Sequence, residues 1–292
     1  MSVFEPLQYE FFVRGMIAAT VIGALCGLIG VYVVLRRMSY IGHGLSHAVF
    51  GGAVVSYVMS FNFYLGASIW GFLSAMLINL TTRRRKFIGA DAAIGIVTTA
   101  SFALGVALIS RYRTFTRSFE AALFGNILGV SESDLVAIST VTVMTLLVIM
   151  IMYRRLLFAT FDPEVAPFFG VSTDWVDTAF SLILAGAIVV SIQVLGVTLI
   201  AAALVIPPIT ARLLTDNFNR LMALSVTIGA LWGLAGIYMS YYVDVSSGAN
   251  IVLLAAMGFL AALAYSSVSG RVVAARGLAA RRMEALRGLS VD

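Results

Sequence analysis

Two histidines, His43 and His47, are the only imidazoles in the 292-residue chain, and they stand four apart in Tyr40-Ile41-Gly42-His43-Gly44-Leu45-Ser46-His47-Ala48-Val49. On a helix that spacing puts both rings on one face, where a single metal ion could sit about 2.0–2.1 Å from a nitrogen of each. Imidazole suits zinc and other first-row divalent ions. Ionisable groups beside an apolar run are costly and mark ion or substrate paths, which favours a ligand role for the pair. The competing possibility is that Gly42 and Gly44 keep the stretch non-helical, with the histidines only hydrogen-bonding backbone.

What accompanies the pair narrows the chemistry. A zinc hydrolase of the H-E-x-x-H kind needs a glutamate base after the first histidine, and that position is Gly44. Asp91, Asp134, Asp162, Glu164, Asp174, Asp177, Asp216 and Asp244 fall at the ends of apolar runs, where solvation is the expectation; Asp91 is expected to pair with the basic stretch Arg83 to Lys86. A phosphate-binding loop needs lysine followed by serine or threonine, and the only lysine, Lys86, precedes Phe87. No carboxylate lies deep in an apolar run, as a gradient-driven transporter usually requires. An active transporter of this kind is therefore not an enzyme itself and draws on a separate ATPase chain, which needs a docking surface. Residues 162–173 offer one: a short amphipathic helix predicted with Asp162 as cap, Pro163 at its first position and Gly170 at its end, and with Glu164 and Phe168 on its turns. A stand-alone secondary metal transporter or channel is the alternative of another class.

The elements that must position these residues are legible in the hydropathy. With 61% hydrophobic residues, only 11% charged and a mean hydropathy of +1.00, the chain lies far from soluble domains. Apolar runs at about 12–35, 41–60, 63–82, 90–110, 135–153, 175–194, 197–214, 221–243 and 249–268 predict an all-α, polytopic transmembrane bundle of eight to nine spans forming one domain over 1–292. With the N-terminus outside, fifteen of the nineteen Lys and Arg fall on inner connections and an inner basic tail at 269–292, which sets the orientation N-out and C-in, with 1–11 as an outer segment. The basic residues form no single stripe, so nucleic acid is not an expected partner; the lipid bilayer is. Cys26 is alone and is expected to pack. Pro207 and Pro208 are expected to break the seventh run, either lining a cavity or kinking against neighbours. The polar stretch from Arg111 to Asp134 is expected as an outer loop with a short helix at the membrane surface.

Taken together, Gly27-Leu28-Ile29-Gly30-Val31-Tyr32-Val33-Val34-Leu35-Arg36-Arg37-Met38, Leu45-Ser46-His47-Ala48, Ala93-Ile94-Gly95-Ile96, the Pro207-Pro208 site with Thr210-Ala211, and Tyr241-Tyr242-Val243-Asp244-Val245-Ser246-Ser247-Gly248-Ala249 resemble the permease subunits of ABC-type zinc and manganese importers, the ABC-3 permeases. The resemblance implies a type II ABC-importer-like permease in a bacterial or archaeal cytoplasmic membrane. It would work as two copies of the chain with cytoplasmic ATPase subunits and an extracytoplasmic metal-binding protein. It implies that His47 matches the histidine of the family's G-D-A-L-S-H-A signature, that His43 stands where the signature has aspartate, and that 162–173 is the coupling helix. Replacing an anionic oxygen with a neutral nitrogen shifts the expected cargo from manganese, or iron, toward zinc. The ion is cargo, and no permanently bound cofactor is expected.

Overall fold

A computed structural model of the chain describes residues 4–84, 90–112 and 123–288, with side chains described for 4–82, 91–112 and 123–268. The described residues contain helices and turns and no strand: α1 (Glu10–Leu35), α2 (Ser39–Val58), α3 (Phe63–Arg84), α4 (Ala90–Tyr112), α5 (Glu132–Phe161), α6 (Thr173–Leu195), α7 (Ile200–Leu214), α8 (Phe218–Val243) and α9 (Ser247–Gly288). In hydrocarbon every backbone group must find its partner within the segment, and these apolar stretches do so as helices. Each predicted run has its helix, with starts displaced by a few residues, while α5 runs on to Phe161 and α9 to Gly288, well past the ends of their apolar runs. Seven of the helices are long and apolar enough to cross a membrane. The other two are α2, diluted by four glycines, three serines and the histidines, and α7, whose 15 residues reach only about 22 Å of a core about 30 Å thick.

Helix ends follow side-chain chemistry. Ser131 and Asp134 form a capping box that starts α5, Ser172 Oγ accepts from Trp175 N at the start of α6, and Asn217 caps α8 through Asn219 N and Arg220 N. Gly196, at φ 74°, ends α6, and Asp244, at φ 55°, ends α8.

Helix α1 is the hub. It packs most extensively on α8 and also touches α5, α6 and α7. A Cβ added at Gly23 would overlap the carbonyl of Gly229, and one at Gly233 would overlap that of Ala19, so the two backbones are in direct contact. Ser225 Oγ adds a hydrogen bond to Gly27 O at 2.7 Å. Small residues and a buried hydroxyl are what let helices associate where lipid removes any hydrophobic drive.

Several expectations are corrected. Pro207 and Pro208 lie inside a continuous α7, both buried. Proline removes the donors that would have served the carbonyls of Ala203 and Leu204, and the Leu204 carbonyl lies against α1 at Gly30, where a Cβ would collide with it. The chain break falls earlier, at Gly196 to Leu199 between α6 and α7. Of the Arg111–Asp134 stretch, Leu123 and Phe124 are helical, Ile127–Gly129 is a single 3-10 turn capped by Asn126, and Ile127 is buried against Gly15. Asn126 N donates to Gln193 O and Thr198 donates to Leu123 O, which pins this segment to the break. Asp134 is buried rather than solvated, accepting from Tyr64 Oη at 2.5 Å and from Ser131. Cys26 is buried, as packing requires. Residues 113–122, the side chains of 269–292 and the Asp91 pairing with Arg83 to Lys86 lie outside the described residues.

The α1–α8 contact makes a direct prediction. Gly229→Leu forces a side chain into the Gly23 carbonyl and should destabilise the protein by about 3 kcal/mol, read as a lower melting temperature in detergent. Wild-type melting would mean that the helices do not approach this closely.

Candidate metal site

The site begins at the corner between α1 and α2. Arg37, at φ 55°, turns the chain within three residues, Met38 N bonds back to Val33 O at 2.8 Å, and Met38 O accepts from Ile41 N and Gly42 N as α2 starts. Helix α2 then runs unbroken through Gly42 and Gly44, so the non-helical possibility is not what the chain adopts. The glycines serve close packing instead. A Cβ at Gly44 would meet Ile94 and Thr98 of α4, and one at Gly42 would press on Leu204 of α7. The Ala93-Ile94 stretch singled out by sequence is therefore the buried face of α4 against α2.

This packing leaves Tyr40, His43 and His47 along the uncovered side of α2, where Tyr40 and His43 are exposed and His47 is half-buried. The two imidazoles are 4.8 Å apart between ring centroids and nearly perpendicular. Phe102 of α4 stands edge-on to His47 at 4.9 Å and leans on Phe50, which holds the second ring by packing. Ser46, between the histidines, donates to His43 O at 2.7 Å and lies 3.2 Å from Val197 O. The α6–α7 break thus reaches the helix that carries the pair, a neighbour that sequence reasoning missed while it followed the prolines. Gly196 after an apolar run was the available signal.

Among the described residues, no third His, Cys, Asp or Glu joins His43 and His47 in a metal-binding group. His47 Nδ1 is buried and has no partner there. Resident metal sites usually fix their histidines with a hydrogen bond to the second nitrogen and use three or four protein ligands. Two imidazoles held by aromatic packing can take an ion and also release it.

Pro207 and Pro208 are not brought to the pair as a break. Pro207 lines an apolar cavity of about 20 Å³ with Gly23, Trp232 and Ile251, between α1, α7, α8 and α9. The Tyr241–Ala249 motif places Asp244, Ser246, Ser247 and Gly248 beside Gly125 and Asn126 in a separate cleft of about 310 Å³.

Residues 162–173 are only partly as expected. Asp162 is the C-terminal cap of α5 and does not start a helix at Pro163. Its carbonyl accepts from Val165 N and Ala166 N, and a 3-10 turn follows over Ala166–Phe169. Gly170 ends that turn at φ 74°, a left-handed conformation that favours glycine. Asp162 and Glu164 are exposed, Ala166 is buried, and Phe168 and Phe169 are 88% and 71% exposed. Two adjacent aromatics are thus held on a turn that follows Asp162 and Glu164, with the Phe169 ring edge-on to Phe158 of α5 at 5.4 Å.

The sequence pattern of the ABC 3 transport family matches residues 8–266. A manganese transport system membrane protein, MntC, of Halalkalibacterium halodurans is 36% identical over 282 residues, covering 96% of both chains. An iron transport system membrane protein of Haemophilus influenzae is 32% identical, covering 91% of this chain and 94% of its own. Among solved structures, PsaBC from Streptococcus pneumoniae in complex with a Fab superposes with a TM-score of 0.81 at 33% identity, over 89% of this chain and 94% of that one. The names of these relatives carry manganese and iron, and they give no support to zinc, which the imidazole pair led us to expect first. The match over most of the chain, the apolar helices and the relatives agree: the protein belongs to the ABC 3 transport family, the multi-pass membrane permeases of bacterial ABC metal importers.

Proposed function

We propose that the chain passes a divalent first-row transition metal inward, with His43 and His47 as transient ligands and with ATP hydrolysed by partner subunits that meet residues 162–173. The helical His pair on an uncovered face carries this reading. The relatives named for manganese and iron make those ions the first candidates for the cargo. Zinc is the second reading, favoured by one observation: both described ligands are imidazoles, with no carboxylate beside them. A path must be walled on every side, and a second copy facing the open side of α2 supplies the missing wall and room for further ligands. In this reading the N-terminus is outside and the C-terminus inside, Phe168 and Phe169 face the cytoplasm, and an extracytoplasmic binding protein delivers the ion at the opposite end.

Metal content of cells expressing the permease with its ATPase and binding protein provides the test. His47→Ala should lower accumulation of the transported ion at least about tenfold, since losing even an orienting neighbour of a ligand costs that much, while membrane levels of the protein stay the same. His43→Asp should raise manganese relative to zinc. Equal metal content in all three would remove the pair from the path.

Protonated imidazole has no lone pair for a metal, so protons compete with the ion for the pair. Uptake should therefore weaken as external pH falls from about 7.5 to about 5.5. A flat profile would contradict coordination by both rings. Phe168→Ala should leave the permease folded, since the side chain is 88% exposed, yet lower ATP-driven uptake; unchanged uptake would move the ATPase contact elsewhere.

A further inference from the structure

The strongest unexplained feature lies where the last turn of α1 meets the start of α6. Arg36 caps α1, and its side chain is only 9% exposed. It donates through Nη2 to Asp177 Oδ1, and its guanidinium lies 5.4 Å from the centre of the Phe180 ring. The other terminal nitrogen, Nη1, is buried with no partner among the described residues. One turn back on α1, the wholly buried Tyr32 stands edge-on to the same Phe180 ring at 6.0 Å, and its hydroxyl is also buried with no partner among the described residues. Two orphaned donors thus converge on one ring between two helices. Asp177 is 36% exposed, so the pair is only partly buried and contributes little to stability, whereas the orphaned buried donors beside it call for an explanation.

Connectivity supplies one. Asp177 follows the Ser172 cap by five residues, so it sits in the first turns of the helix that the 162–172 segment leads into. That segment is a stiff unit: Val171 N bonds to Ala166 O, Gly170 N to Pro167 O, and Val176 N to Ser172 O. On the other side of the pair, Arg36 is the first residue of the tight corner that starts α2, and His43 comes seven residues later. The ion pair is therefore a short connection between the exposed aromatics Phe168 and Phe169 and the helix bearing His43 and His47.

We propose that the Arg36–Asp177 pair is the positioning link that transmits displacement of the 162–172 segment to α2, re-pairing as the site opens and closes; this rests on the ATPase-coupled reading above. Arg36 Nη1 and Tyr32 Oη are the donors left waiting in the state seen here. They acquire an acceptor when α6 slides past α1. Neither residue touches the cargo.

The test uses the complete complex, permease with its ATPase and binding protein in proteoliposomes, with Mn2+ and Zn2+ supplied in turn. Ions taken up and ATP hydrolysed are measured together and normalised to assembled complex. Asp177→Asn should assemble and hydrolyse ATP, but ions carried per ATP should fall about tenfold, within the usual range of coupling between sites. Exchanging the charges in Arg36→Asp with Asp177→Arg should recover part of that loss. A structural role alone would lower the amount of assembled complex and leave ions per ATP unchanged, which would overturn the link. If Asp177→Asn does not assemble, the paired Arg36→Met with Asp177→Leu, which removes both charges and keeps the volume, is read the same way: wild-type ions per ATP overturns the link, and uncoupled hydrolysis supports it. Loss of coupling in Phe168→Ala with normal coupling in Asp177→Asn would leave the transporter reading standing and remove the link. No ATP-driven uptake by the wild type would remove both.

Discussion

The backbone contact between α1 and α8 is the constraint on which the rest depends. Gly23, Gly229 and Gly233 bring carbonyls of one helix against Cα atoms of the other, and Ser225 closes a hydrogen bond to Gly27. In lipid, such close approach replaces the hydrophobic drive that holds soluble bundles. With α1 seated, its other small residues admit two irregular pieces of chain. Gly30 accepts the carbonyl that Pro208 frees on Leu204, and Gly15 accepts Ile127 from the turn beside the α6–α7 break. Larger residues at either position would displace α7 or the 123–130 turn. Both of these elements border the helix or break next to the histidines.

The second consequence concerns α2. Its glycines give away apolarity, so it is the helix least suited to lipid, and it is covered by α3, α4, α6 and α7 on its other sides. The same glycines let α4 come close enough for Phe102 to hold His47. A helix weakened in hydropathy for the sake of packing can carry two imidazoles at the wall of a path, because its neighbours rather than lipid hold it in place. These neighbours orient a ring without occupying its nitrogens.

Much of this was legible in residue order. Apolar runs located the start of each of these helices to within a few residues, because a membrane span must be long and apolar to satisfy its own backbone, but not the polar extensions of α5 and α9; the spacing of His43 and His47 put both on one helical face. Three things were not legible. Proline's effect on α7 depended on Gly30 of a distant helix absorbing the freed carbonyl. The engagement of Asp134 and Asp177 depended on Tyr64 and Arg36, 70 and 141 residues away. The Asp162 cap pointed the wrong way, closing α5 instead of opening a new helix, because a carboxylate next to proline reads alike in both roles from sequence alone. The first two failures are long-range partners overriding a local signal, and the third is a local signal with two readings.

The contrast between the two ends of α1 bears on how such a bundle can move. Toward its first turn, Arg14 reaches Glu10 at 3.4 Å and Glu132 at 4.0 Å, and both glutamate side chains are about four-fifths exposed. Exposed pairs of this kind contribute at most about 1 kcal/mol and exchange partners readily with water. Toward its last turn, the Arg36 side chain is only 9% exposed and lies against Asp177 and Phe180 of α6, while the Asp177 side chain is 36% exposed. The charged contacts at one end of the hub run to exposed glutamates, and the one at the other end runs to the helix whose start follows the exposed Phe168–Phe169 turn. That same end of α1 packs on α7 and α8 through Val31 and Tyr32 and joins α2 by a three-residue corner, so α6, α7 and α8 all meet where the helix of the histidines begins.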